Sequence, residues 1–369
     1  MELVVRKSDL LRELQLFQGI VERNTTIPVL ANVLMEAEGK ELRFLATDLH
    51  VALRSRCSAS VAKGGRLTLP AKKFFEIIRF LPETDVRIEQ DKSGVKVAAD
   101  RFDSHIQTMP PEEFPSLPTG TGQGGLTLKA DLLKQMLGRT QFATTSDDTR
   151  YFLNGVLMVA RPGHFALVAT DGHRLALTEA PADFGDLKEE VKVILPKKTV
   201  SELGRLLMEV SGDIQYERLE NHLFFQVGER VLVSRMIEAQ FPAYERVVPK
   251  GNDKVIEFER ERLAAALKRV GQLSPERSRA VKLAIETGKV EVSSQSPEYG
   301  EAKEIIAVDD YQGDAMSIGF NGQYVQQFLE VVETDKVALE LKDEVSQAVM
   351  KPVGQEGFEY TYVLMPMRF

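Results

Sequence analysis

The chain has 369 residues, 43% apolar and 28% charged, with a net charge of −8. That is material for two or three globular domains of ~100–200 residues each and excludes a disordered chain. The single cysteine, Cys57, excludes an intrachain disulfide framework and a cysteine-based zinc site, and no run of about 18 apolar residues spans a membrane.

The start, M-E-L-V-V-R-K-S-D, holds an acid and too short an apolar run for a signal peptide, so a reducing cytoplasm is the expected compartment. The acidic balance argues against a basic nucleic-acid coat while leaving room for a local basic patch.

The first predicted element is an amphipathic helix over Leu10–Val21, with apolar residues at helical spacing. L-R-F-L-A-T-D-L-H-V-A-L (Leu42–Leu53) follows, alternating on both sides of Thr-Asp as a hairpin does. L-T-L-P-A-K-K-F-F-E-I-I-R-F-L (Leu67–Leu81) predicts a second helix opened by Pro70, because proline is tolerated where the N–H has no partner. Val86–Val97 predicts another hairpin, and a linker with Phe114-Pro115 closes the segment.

The same succession then returns. A helix is predicted over Leu132–Ala143, a hairpin over Phe165–Leu177 and a Pro196-opened helix over Val193–Leu207. A hairpin over Ile214–Phe225 and a linker with Phe241-Pro242 complete it. Asp171-Gly172 suits the tight turn, since glycine takes positive φ without penalty. A third pass starts with a helix at Arg262, continues with Ile318–Leu329 and a hairpin over Val337–Val349, and stops at V-L-M-P-M-R-F, leaving that tail free for another task. It lacks Thr-Asp, reading V-E-V-S-S-Q instead.

An internal repeat decides the fold before anything else does. The expected fold class is α+β: three copies of one unit, each with two helices and about eight short strands on antiparallel sheets. The boundaries fall at 1–120, 121–248 and 249–369.

Three such units, with A-T-D-G-H-R-L-A, T-I-P-V-L (Thr26–Leu30), R-Y-F-L-N-G (Arg150–Gly155) and the terminal V-L-M-P-M-R, resemble the bacterial sliding clamps, the beta subunits of DNA polymerase III. The resemblance covers the whole chain. It implies a head-to-tail homodimer closed into a ring around duplex DNA, with helices lining the hole and no base-specific readout. A heterologous contact that closes makes a ring rather than a filament. It implies no catalysis and no cofactor. The implied partners are the polymerase III catalytic subunit, the clamp loader, and other polymerases and repair proteins that dock through a short hydrophobic motif.

The basic residues of five predicted helices fit phosphate contact, whereas Gly322–Glu333 has none. The DNA-facing residues expected from helix charge and resemblance are Arg23, Lys72, Lys134, Arg139, Tyr151, Phe152, Lys198, Arg205 and Arg246. Solvated helix faces are the plainer account of any one of these cations. Family members often carry a basic residue where Asn24 stands and a neutral polar one where Asp147 stands. Asp147 and Asp148 would repel a phosphate they faced, and Arg23 would compensate for Asn24.

The resemblance places the client pocket on Arg150, Leu153, Gly155, Thr170, Gly172, His173, Arg174, Leu175, Pro242, Val247, Asn321, Tyr324, Val345, Met365, Pro366, Met367 and Arg368. Methionines suit a site with several clients. Arg150 and Arg174 would donate to client carbonyls or acids, and Leu153 and Leu175 read equally as core. Gln347 replaces a smaller residue at one edge. The dimer contact would set Lys73 and Arg101 against Glu298, Glu301 and Glu304, with Leu273 as an apolar element.

Two other readings stand beside the clamp. Asp-x-His occurs twice, at 48/50 and 171/173, which would suit a metal-dependent phosphoesterase. However, the chain has five histidines and no H-E-x-x-H, phosphate loop or G-x-S-x-G. The duplicated hairpin explains the duplicated motif. A scaffold with no DNA in its hole is the third reading.

Overall fold

The computed structural model describes residues 1–22, 26–122, 125–185, 187–309, 311 and 313–368. Arg23 and Asn24 therefore lie outside the described residues.

The first repeat runs β1 (Glu2–Arg6), α1 (Lys7–Phe17), β2 (Asn32–Glu38), β3 (Glu41–Thr47), β4 (Val51–Ser58), β5 (Ser60–Lys63), β6 (Gly65–Pro70), α2 (Ala71–Phe80), β7 (Asp85–Gln90), β8 (Val95–Ala99) and β9 (Phe102–Ile106). The second runs β10 (Leu126–Lys129), α3 (Ala130–Thr140), β11 (Gly155–Arg161), β12 (His164–Thr170), β13 (Arg174–Ala180), β14 (Val191–Pro196), α4 (Lys197–Leu206), β15 (Asp213–Leu219), β16 (His222–Val227) and β17 (Arg230–Arg235). The third runs β18 (Lys254–Glu259), α5 (Arg260–Val270), β19 (Ala280–Glu286), β20 (Lys289–Ser296), β21 (Gly300–Ala307), β22 (Met316–Asn321), α6 (Gly322–Val331), β23 (Lys336–Leu341), β24 (Ala348–Pro352) and β25 (Glu359–Leu364).

Each helix buries one stripe. In α1, Leu10, Leu14 and Phe17 recur at i, i+4 and i+7 and are fully buried, and Phe17 meets Phe44 of β3 with ring centroids 6.1 Å apart. Truncating Leu14 to alanine would cost about 2–5 kcal/mol. The helix stops at Phe17, short of the predicted Val21, because the chain tightens there: the Ile20 N–H donates to Phe17 O at 3.0 Å. Pro70 and Pro196 end strands β6 and β14 rather than standing as the first helical residues, and Pro70 is the residue that caps the start of α2. The third repeat has Asn321 there, whose side chain accepts from the Gln323 N–H.

Contacts divide the chain into two compact units: Met1–Lys134 with Lys198–Met236, and Gln135–Lys197 with Ile237–Phe369. In the first unit, β5-β1-β7-β8-β9 form one sheet and β10-β15-β16-β17-β4-β3-β2-β6 another. The longer sheet crosses from one repeat to the next where β17 pairs with β4, Ser234 opposite Val51 and Val231 opposite Arg54.

In the second unit, β14-β11-β12-β13-β25-β24-β23-β18 form the long sheet and β21-β20-β19-β22 the short one. The crossing there is β25 on β13, with Leu364 opposite Arg174 and Glu359 opposite Glu179. The same two strands of the repeat make both crossings.

Burial follows position. β7 alternates exposed and buried, the mark of one solvated face. β12 is buried on both faces because Tyr244, Phe241, Val247 and Val248 of the second linker pack on its outer side with Leu175, Leu177, Val349 and Val363. Phe114 of the first linker packs with Val29 and Leu34 in the same manner.

Candidate functional site

The two Thr-Asp turns share one hydrogen-bond pattern. Asp48 Oδ1 accepts from the N–H groups of His50 at 2.8 Å and Val51 at 2.6 Å, and Asp171 Oδ1 accepts from those of His173 at 2.9 Å and Arg174 at 3.1 Å. Thr47 and Thr170 donate their hydroxyls to Val51 O and Arg174 O. Leu49 adopts φ +77° and Gly172 φ +89°, the left-handed conformation that the turn requires. A Cβ at Gly172 would also lie 2.8 Å from Arg150 Nη1. In the third repeat Ser296 keeps the hydroxyl, accepting from the Glu298 N–H, but no aspartate follows. The Asp-x-His motif thus shapes a turn, and both carboxylates are engaged there.

Arg174 is the centre of the second turn, and its donors are turned inward rather than toward a client. The guanidinium is buried and donates Nε–H to Asp171 Oδ2 at 3.1 Å and Nη2–H to Phe142 O at 2.7 Å. Nη1 donates to Gln327 Oε1 and to the Tyr362 hydroxyl, while the ring of Tyr324 lies 4.2 Å away. Phe142, Gln327 and Tyr362 were not legible as site residues, because the contacts join residues up to 188 positions apart. Burial raises the Tyr362 hydroxyl above the ordinary tyrosine range, keeping it a neutral donor and acceptor.

Around this hub the structure brings most of the expected client residues together. Arg150 donates to Asp171 O at 2.7 Å and to Asp147 Oδ2 at 3.1 Å. The tail is pinned rather than free: Met365 N–H donates to His173 O at 2.9 Å and Met367 N–H to Gly319 O at 2.8 Å. Pro366 and Met367 are half-buried, and Arg368 is exposed.

Met365, His173, Pro242 and Val345 are exposed, with Val247 half-buried against the same apolar cluster. Leu175 and Leu153 are core and can only floor a groove. Gly155 is needed because a Cβ would lie 2.3 Å from Leu195 O. Thr170 and Asn321 act on the backbone as turn and helix caps.

The expected DNA-facing cations separate into two groups. Lys198 is engaged: its Nζ lies 2.5 Å from Asp48 Oδ2, 3.0 Å from Ile20 O and 3.5 Å from Glu22 Oε1. Arg139 is buried beside the Phe358 ring and pairs with Glu333 at 3.5 Å, so it presents nothing to a phosphate. Arg205 pairs with Glu202 at 3.0 Å while remaining more than half exposed. Arg246 and Tyr151 are exposed, Phe152 packs edge-on to Tyr151, and Lys72 and Lys134 are half-buried on α2 and α3.

Asp147 is compensated rather than repulsive. Its carboxylate accepts from the Thr149 hydroxyl and N–H and from Arg150, which together hold its pKa below the usual range, the hydroxyl contributing most.

The expected dimer residues lie at the open edges of the two short sheets. β9 is an edge of the five-stranded sheet, with Arg101 beside it and Phe102 exposed. β21 is an edge of the four-stranded sheet and carries Glu301, Glu304 and exposed Ile305, with Glu298 in the preceding turn. Leu273 is half-buried next to the end of α5. Two of the expected pairings are taken within the chain: Lys73 bonds Glu76 at 2.7 Å, and Arg269 grips both oxygens of Glu304 at 2.5 and 2.8 Å.

Comparison with known proteins agrees with the repeat at every segment. Residues 1–118, 127–243 and 245–368 match the N-terminal, central and C-terminal domains of the DNA polymerase III beta subunit. A beta sliding clamp of Pseudomonas putida is 36% identical over 372 residues, all of both chains, and one of Caulobacter vibrioides is 34% identical over 375, again all of both. The crystal structure of a DnaN sliding clamp from Pseudomonas aeruginosa bound to griselimycin matches with a TM-score of 0.94 at 35% identity, covering both chains fully. Fold and repeat together define a DNA clamp, a class that serves a polymerase as a processivity factor and catalyses nothing itself. The chain belongs to the DNA polymerase III beta subunit family, the bacterial beta sliding clamps.

Proposed function

We propose that two copies join head to tail into a ring that encircles duplex DNA and tethers the replicative polymerase, the clamp loader and other clients, in the cytoplasm. The carrying observation is a joint made twice and left open once. β17 pairs with β4, and β25 pairs with β13. The equivalent strands left over are β9 and β21, both sheet edges. A third joint of the same kind needs a second chain, and two chains make it twice, which closes a ring. Arg101 against Glu298 and Glu301 would set the orientation. The three domains of this reading are 1–120, 121–248 and 249–369.

Within the ring, Lys72, Lys134, Arg205, Arg246, Tyr151 and Phe152 are the proposed DNA neighbours. Clients would lie across Met365, His173, Pro242, Val247 and Val345, over a floor of Leu153 and Leu175 and a frame held by Arg174, Tyr324 and Asn321. The test is retention on DNA. Protein loaded onto nicked plasmid by a bacterial clamp loader with ATP should survive high salt on circles and leave when the plasmid is linearised, because screening removes simple electrostatic binding and only topology remains. Equal loss from both forms, with a control clamp retained, would overturn the reading.

A further inference from the structure

We infer that the first repeat carries a second peptide-docking pocket, built on Arg54, for a partner segment that presents a carboxylate beside an aliphatic side chain. The pocket is separate from the client groove proposed above and does not depend on the ring. It lies on the sheet face of β2, β3 and β4 opposite α1. Phe44 meets Phe17 of α1, so its neighbour Leu45 stands on the other face.

Thr47 and Asp48 correspond to Thr170 and Asp171, which aligns the strands on either side. Cross-strand pairing sets Leu34, Leu45 and Arg54 in one row and Glu36, Arg43 and Arg56 in the next. The matching rows of the second repeat are Leu157, Val168 and Leu177, then Val159, Ala166 and Glu179. There the apolar positions are buried, with Phe241, Val247 and Val248 of the linker packed against them. The first linker covers less. Phe114 packs on Leu34 and Leu45, and Leu117 on Ala52. The chain then turns aside, and the Thr121 and Gly122 N–H groups donate to Glu217 of β15 at 2.9 and 3.0 Å. A pocket of about 200 Å³ is left, with Leu34 and Leu45 as apolar walls and Arg43, Arg54 and Arg56 as donors.

Of these three cations, Arg54 alone has no carboxylate. Arg43 pairs with Glu38 and Glu41 at 3.3 Å each, and Arg56 with Glu41 at 2.9 Å and with Glu229. Glu36, the other acid of the pocket, pairs with Arg66 at 2.6 Å. Arg54 uses only Nη2, which donates to Leu117 O at 3.1 Å and Pro118 O at 3.0 Å. Among the described residues its Nε and Nη1 have no hydrogen-bond partner. Burial disfavours its charge, and Glu36 offsets this only in part. A half-buried guanidinium with two open donors matches the fork of a carboxylate. Leu34 and Leu45 beside it offer apolar surface that a bare anion would leave uncovered, so the occupant that satisfies both is a peptide.

The test is methyl NMR of the full-length protein labelled at leucine, titrated with the capped tripeptide leucyl-leucyl-glutamate and with its glutamine isostere. The Leu34 and Leu45 methyls should shift saturably with the acidic peptide and about tenfold more weakly with the neutral one, the loss expected of a charged hydrogen bond. Arg54→Gln should remove that preference. Glu36→Gln leaves Arg54 and the linker in place and removes a competing charge, so it should tighten the acidic peptide about two- to fivefold. Absence of a saturable shift at these methyls, equal binding of the two peptides, or indifference to both variants overturns the pocket. Shifts confined to Leu153 and Leu175 would also overturn it, by placing the peptide in the client groove, and would leave the proposed function intact.

Discussion

At the scale of single residues, charge was easier to find in the sequence than to assign. Lys198 and Arg139 belong to helices with the right overall charge, yet one neutralises Asp48 and the other lies against Phe358. Which cation faces outward is decided by partners far along the chain, so helix charge alone could not sort them.

Met365 is the opposite case: a terminal methionine that the resemblance marked and that stands exposed on a pinned tail. Met365→Ala should weaken a client peptide by about 1–3 kcal/mol in calorimetry, the loss expected of a central anchor. An unchanged affinity would move the anchor elsewhere. Cys57 gives an independent check of packing. Burial pushes its thiol up to about 12, with Glu13 adding to the effect. It should resist alkylation at pH 8 in the native protein and react at once in denaturant. Fast labelling of the folded chain would mean that β4 opens locally.

At the scale of elements, hairpins and helices were legible because alternation and 3.6-residue spacing act locally. The ladder pairings between repeats were not. β17 on β4 joins strands about 180 residues apart, and nothing in either strand names its partner. The same holds for the ion pair that joins α1 to β17. Arg230 donates to both oxygens of Glu13 at 2.9 and 3.1 Å, with both residues buried and Glu209 2.9 Å from the same guanidinium. Removing one partner strands the other charge in a low-dielectric site, which costs about 3–5 kcal/mol. Arg230→Met should therefore lower the unfolding free energy by that order. Arg230→Met with Glu13→Leu should recover much of it, since neither charge is then left buried. Denaturant titration of the double-mutant cycle measures both. Simple additivity would show the two residues to be energetically independent.

At the scale of the molecule, the threefold period was the strongest signal in the sequence, and three family domains match it in order. What the period did not reveal is where the chain is left incomplete. The open edges β9 and β21 expose Phe102 and Ile305, the apolar positions a neighbouring strand would cover. Ile305→Lys should shift the solution mass from dimer toward monomer while leaving circular dichroism unchanged. A dimer that tolerates the lysine would place the contact on another face.

The central repeat gives β10 and β15–β17 to one sheet and β11–β14 to another, so the sequence repeats and the compact units run out of phase by half a repeat. A gene fragment cut at the boundaries of the central repeat would encode a whole repeat and yet only a part of each compact unit. The repeated unit is a unit of sequence, while the long sheets follow the joints between copies.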